Sequence, residues 1–171
     1  MNFTAKERER FDFAVIARWI PPGERVLGCI RNDVDVIQID IERGLSGFED
    51  HSFDHVIISQ ALQAMHATER ILGEMLRVAD EAVVSFPNFA YQTNRQAIAS
   101  GHMPVSEDLP YEWYDTPNVR FFTIADFEEL CDKLGIEVRE RLAFDDAGQP
   151  VADDPNLNGS LAFYRLGRKP A

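Results

Sequence analysis

Cysteine is scarce in this chain and positive charge is outweighed. Cys29 and Cys131 are the only two cysteines among 171 residues and stand far apart, so there is neither a secreted disulfide framework nor the paired spacing of a metal site. Reduced thiols and a cytoplasmic setting are the expectation. Lys and Arg number 17 against 29 Asp and Glu, a formal net charge of -12. A nucleic-acid backbone or an anionic membrane surface would be repelled at long range, so neither is expected as a partner. No stretch is apolar for long enough to span a bilayer. The segment from Thr4 to Glu7 is charged, and the apolar positions after it are spaced for an amphipathic helix rather than a signal peptide. The four histidines, His51, His55, His66 and His102, show no ligand spacing with Asp, Glu or Cys, and no metal is expected.

The chain also lacks room where a nucleotide-binding fold needs it. Val26-Leu27-Gly28-Cys29 looks like a strand running into a glycine turn, yet the next strand pattern, Val36 to Ile41, follows almost at once. A parallel strand–helix–strand unit takes roughly 30 residues or more. The first such unit is incomplete in this sequence.

What is present alternates strand and helix over a length that suits a single domain, residues 1–171. Thr4 and Glu7 have capping-box spacing, and Phe11, Val15 and Trp19 then share a helical face that ends at Pro21-Pro22-Gly23. Arg25 to Leu27 reads as a short strand, and Phe53 to Ile58 as a strand buried on both faces. Ile71, Leu72, Met75 and Leu76 repeat at helical spacing before the apolar strand Glu81 to Phe86. Tyr91 to Ser100 reads as a helix closed by Gly101, and residues 102–120 as an irregular stretch rich in aromatics. Thr123 and Asp126 cap a helix with Phe127, Leu130, Cys131 and Leu134 on its apolar stripe, ending at Gly135. Ile136 to Phe144 and Ser160 to Leu166 read as antiparallel strands with one wet face, joined by an exposed loop over 145–158. The fold class expected is α/β, a doubly wound and mostly parallel sheet with an antiparallel C-terminal strand.

In such sheets ligands bind beyond the carboxyl ends of the strands. That rule selects Gly28 and Cys29, Asp40 and Ile41, and Ser59 and Gln60. Asp40 could accept a hydrogen bond from an exocyclic amine such as that of adenine, and a turn aspartate would look the same. His55 reads as a partly exposed sheet position, His66 as a residue at the start of a helix or a base, and Cys131 as core. Tyr111, Trp113, Tyr114 and Asp115 form a lid over a substrate or a docking surface for another protein; local packing under a long loop explains the aromatics too. No catalytic residue is identified.

Five stretches carry a family resemblance: Val26 to Cys29, Val36 to Leu45, Phe53 to Gln63, Val83 to Phe89, and Met103 to Asn118, within which Leu109-Pro-Tyr-Glu-Trp-Tyr-Asp-Thr-Pro-Asn118 is the most specific. The chain resembles the methionine biosynthesis protein MetW family across nearly its whole length. The resemblance implies a class I methyltransferase (Rossmann-like) fold, S-adenosylmethionine or S-adenosylhomocysteine as cofactor if the glycine-loop segment is present, and homoserine O-acyltransferase as partner. In that pattern Gly28 and Cys29 let the backbone approach the methionine part of the cofactor. Asp40 would face the adenine amine, Ile41 would pack on its ring, and Ser59 and Gln60 would line the cleft beside the sulfonium. The function implied is that of an accessory protein in homoserine acylation. Its rivals are an active small-molecule methyltransferase and a cofactor-free interaction module.

The family's fuller glycine loop, the helix after it and the next strand have no counterpart between Leu27 and Val36. Loss of a central strand would expose sheet edges and core, a large penalty against a stability of about 5–15 kcal/mol. The natural chain is therefore expected to carry a further segment here. Its intact mass should exceed the 19.4 kDa of these residues. A mass equal to that value would mean a true deletion.

Overall fold

In a computed structural model of the chain, residues 11–12, 14–21, 26–28 and 44–169 are described. Thr4, Glu7, Pro22, Gly23 and the strand pattern from Val36 to Ile41 lie outside them. Continuous apolar runs form the strands β1 Val26–Gly28, β2 Phe53–Ser59 and β3 Ala79–Pro87. Two C-terminal strands follow, β4 Ile136–Phe144 and β5 Leu161–Arg168. Their order in the sheet is β1-β2-β3-β5-β4. The β1–β2 and β2–β3 ladders are parallel, and β5 pairs antiparallel with both β3 and β4. Four strands therefore share a direction and β5 alone opposes it, as expected of a mostly parallel sheet with one antiparallel C-terminal strand.

Three helices follow the spacing read in the sequence. In α1, Thr68–Val78, the buried residues include Ile71, Leu72, Met75 and Leu76. The second, α2, spans Gln92–Ala99 and is followed by Gly101 at φ +87°, a left-handed turn that glycine takes without strain. The third, α3, spans Ile124–Lys133 and opens on a reciprocal capping box: Asp126 N–H donates to Thr123 Oγ1 at 3.1 Å and Thr123 N–H to Asp126 Oδ2 at 2.9 Å. Two expectations need correction. Residues 145–158 are not all loop, because Asp154 caps and Pro155 starts a short helix, α4 Pro155–Asn158. The wet face belongs to β4 only. With β3 and β4 on its two edges and helices on both faces, β5 is buried at all but two of its positions.

Alternation of side chains divides the core into two layers. On one face Val56, Ala82, Val84, Phe86, Tyr164 and Leu166 pack against α1 and α3. Phe86 lies parallel to Tyr164 with centroids 5.7 Å apart, and Phe127 of α3 sits 4.8 Å from both rings. Cys131 is buried here, and burial pushes its thiol up to about 12, which fits a core residue and not a reactive one. On the other face Val83, Leu161, Phe163 and Phe144 meet Val15 and Ile16 of the helical residues near the N-terminus, with Phe11 and Trp19 packed alongside.

The carboxyl end of β3 is tied to three other elements by one side chain. Asn88 has no exposed surface. Its Nδ2 donates to the carbonyls of Gly159 at 2.8 Å and Asn156 at 3.0 Å, while its Oδ1 accepts from Ala90 N–H at 3.1 Å and Ile124 N–H at 3.2 Å. The backbone joins in: Asn88 N–H donates to the Ser160 carbonyl at 2.7 Å. Gly159 must approach closely for this, since a Cβ there would stand 2.7 Å from the Pro155 carbonyl oxygen. Asn88→Ala would strand two buried N–H groups and two carbonyls, a cost of about 3 kcal/mol or more. Urea denaturation measures it, and a loss below about 1 kcal/mol would contradict this reading of the network.

Candidate functional site

Register places the predicted residues on one edge of the sheet. Gly28 ends β1 opposite Ile57 of β2, so the strand leaves the sheet beside the residues that lead into Ser59 and Gln60. Ser59 pairs across the ladder with Ser85 of β3. The structure thus brings Gly28, Ser59 and Gln60 together at the carboxyl edge of adjacent parallel strands. Cys29, Asp40 and Ile41 lie outside the described residues.

Gln60 turns the chain out of β2 with φ +46°, a left-handed conformation that costs a glutamine free energy. Three bonds hold it there. Its N–H faces both the Ser85 carbonyl at 3.0 Å and Ser85 Oγ at 3.1 Å. Its side-chain amide donates to Asp12 Oδ2 at 2.5 Å. Ser59 Oγ lies 3.0 Å from Ser85 Oγ and donates to the same Asp12 oxygen at 3.3 Å.

Asp12 is the residue that sequence reasoning missed. It sits on the helix near the N-terminus, 7 % exposed, on a stripe whose neighbours Phe11, Val15 and Ile16 pack on the sheet. An acidic residue within an otherwise apolar helical face was the signal available. One Asp12 oxygen thus gathers the side chains of Ser59 and Gln60 where β2 ends. Asp12 also lines a small cavity of about 20 Å³ with Asp108, Asp145 and Asp146.

The edge continues into the aromatic segment. Gln63 Nε2 donates to the Gln60 carbonyl at 2.9 Å, and the Gln63 carbonyl accepts from the N–H groups of Val119 and Arg120, each at 3.0 Å. Arg120 Nη2 reaches the His66 carbonyl at 3.1 Å. Leu109 is buried, whereas Trp113 and Tyr114 are both 70 % exposed and touch each other edge to face at 5.6 Å. Tyr111 and Asp115 are exposed as well. Local packing under the loop therefore does not account for Trp113 and Tyr114.

His51 and His55 fall away from this edge. His55 is buried, not partly exposed, because β1 and β3 flank it and Glu81 lies 3.6 Å from its Nδ1. His51 pairs with Asp80 at 2.7 Å on the surface. His66 is exposed just before α1. Among the described residues no group of three His, Cys, Asp or Glu could hold a metal, and no helix is long and apolar enough to cross a membrane.

The sequence profile of the family described as methionine biosynthesis protein MetW matches residues 26–166. A bifunctional methionine biosynthesis protein MetXA/MetW of Rhodopirellula baltica is 39% identical over 153 residues, which is 85% of this chain and 25% of that protein. The chain thus spans a quarter of the length of the curated relative it matches. Two solved structures share the fold. A SAM-dependent methyltransferase of Thermotoga maritima superposes with a TM-score of 0.60 at 16% identity, covering 96% of this chain and 95% of that one. An S-adenosylmethionine-dependent methyltransferase of Mesorhizobium loti does so with 0.62 at 12% identity, covering 92% and 98%. The chain belongs to the MetW family, and its fold is that of class I methyltransferases.

Proposed function

We propose that this MetW-family chain is an accessory protein of methionine biosynthesis, one that binds S-adenosylmethionine or S-adenosylhomocysteine and activates homoserine O-acyltransferase by direct contact. The observation that carries the proposal is the relative in which a MetW-like region shares one chain with MetXA. Covalent joining raises the effective concentration of two modules, and it is of use where they act together.

The described residues at the strand ends support a cofactor site there. S-adenosylmethionine bears a transferable methyl group on a sulfonium cation. The ends of β1 and β2 lie side by side, so Gly28 offers backbone without a side chain where Ser59 and Gln60 offer polar groups. Asp12 orients both of those side chains by accepting from each. Gly28 and Cys29 would hold the methionine part, Asp40 the adenine amine, Ile41 the adenine ring, and Ser59 and Gln60 the surroundings of the sulfur. Asp12→Ala removes the acceptor that Ser59 and Gln60 share. Its expected effect is to weaken both S-adenosylmethionine and S-adenosylhomocysteine several-fold, because the side chains beside the sulfur lose their fixed orientation. Calorimetric titration of both ligands reads the loss, and unchanged affinity for both would contradict the positioning role.

For the partner, acyl transfer to homoserine should rise when this protein is added to the acyltransferase of the same organism, and the two should co-elute at micromolar concentration. No association and no change in rate would refute the accessory role. Methyl transfer from labelled S-adenosylmethionine to a metabolite of the cell extract would favour the methyltransferase alternative.

A further inference from the structure

Apolar side chains left on the surface are concentrated in one place. Every exposed large hydrophobic residue among the described ones, apart from Val138, lies between Ile98 and Phe121. Met103 and Val105 flank the start of the segment, Tyr111, Trp113 and Tyr114 form its middle, and Val119 and Phe121 its end. Scattered exposed residues are ordinary, whereas a concentration of them with aromatics at its centre marks an interaction surface. The segment is also fastened rather than free: Leu109 is buried beneath it, Ser106 N–H donates to the Leu109 carbonyl at 3.0 Å, and its far end hangs on Gln63. An anchored surface loses little freedom on binding, which favours affinity.

Charge selects the occupant. Glu112 precedes Trp113, Asp115 follows Tyr114, and Glu107 stands nearby, all exposed. A second copy of this chain would bring the same carboxylates against each other on a molecule of net charge -12. An anionic membrane would meet the same repulsion.

We infer that Tyr111, Trp113 and Tyr114, bordered by Glu112 and Asp115, are the docking surface for an apolar protein face with a basic rim, carried by the acyltransferase. The inference rests on the accessory role proposed above and adds which surface performs it. Trp113 and Tyr114 have the exposure and the aromatic character of residues that dominate interface energies.

The test is interferometry of the full chain against the acyltransferase of the same organism, using the wild type and three variants. Trp113→Ala with Tyr114→Ala should weaken binding by about 30-fold or more, the scale of a loss of hot-spot aromatics. Glu112→Lys with Asp115→Lys should slow association by about 10-fold at low salt, an effect that shrinks as salt is added. Val138→Ser, on the edge strand β4, should bind as the wild type does, and thermal melting confirms that all three are folded. If the wild type binds and the aromatic double variant binds equally well, the docking surface is overturned while the accessory role stands. If the wild type does not bind, the accessory role falls and the docking assignment falls with it. Loss of S-adenosylhomocysteine affinity in the aromatic variant, with partner binding intact, would make the segment a lid and overturn the inference. So would wild-type self-association that the same variant abolishes.

Discussion

The geometry of the site edge depends on a single buried amide. Asn88 leaves β3 where the parallel part of the sheet ends and at once satisfies the opening of α2, the first N–H of α3 and the carbonyls that lead from α4 into β5. A buried polar group is costly alone and stabilising when every bond is made. Here the two donors and the acceptor of one asparagine serve three other elements at once. Because β5 is inserted between β3 and β4, the turn before it must close on β3, and Gly159 permits that approach.

The same edge holds a second polar network, and its purpose is different. Asp12, Ser59, Gln60 and Ser85 join the N-terminal helical residues to β2 and β3 and hold Gln60 in a left-handed conformation. Strain of this kind persists only where the surroundings over-determine it, and it gathers at sites that bind. From Gln60 the bonds run through Gln63 to Val119 and Arg120, so the end of β2 and the aromatic segment are neighbours in one chain of hydrogen bonds. A polar network at a strand end and an exposed aromatic surface thus sit side by side.

Much of this was legible from local signals. The stripe of Ile71, Leu72, Met75 and Leu76 and the Thr123–Asp126 cap specify their helices by spacing alone, and both formed as read. That Gly28, Ser59 and Gln60 would share one edge was reachable because they end adjacent parallel strands. The misses have a common cause in tertiary context. The burial of His55 and of both faces of β5 depends on which strands flank them, and strand order is not written in side-chain periodicity. Asp12 escaped notice because a carboxylate on an apolar stripe becomes informative only once Ser59 and Gln60 are seen to face it. Asn88 lay inside a stretch quoted for its family resemblance, but its partners are up to 71 residues away in sequence.

The central claim is that one edge of the sheet binds the cofactor while the adjoining aromatic surface binds a protein partner. Hydrogen exchange of the chain alone, with S-adenosylhomocysteine, and with the acyltransferase tests it most directly. Two footprints are predicted: slowed exchange around residues 56–63 with the cofactor product, and around residues 103–121 with the partner. Protection by the partner on β4 or α3, with residues 103–121 unchanged, would contradict the account.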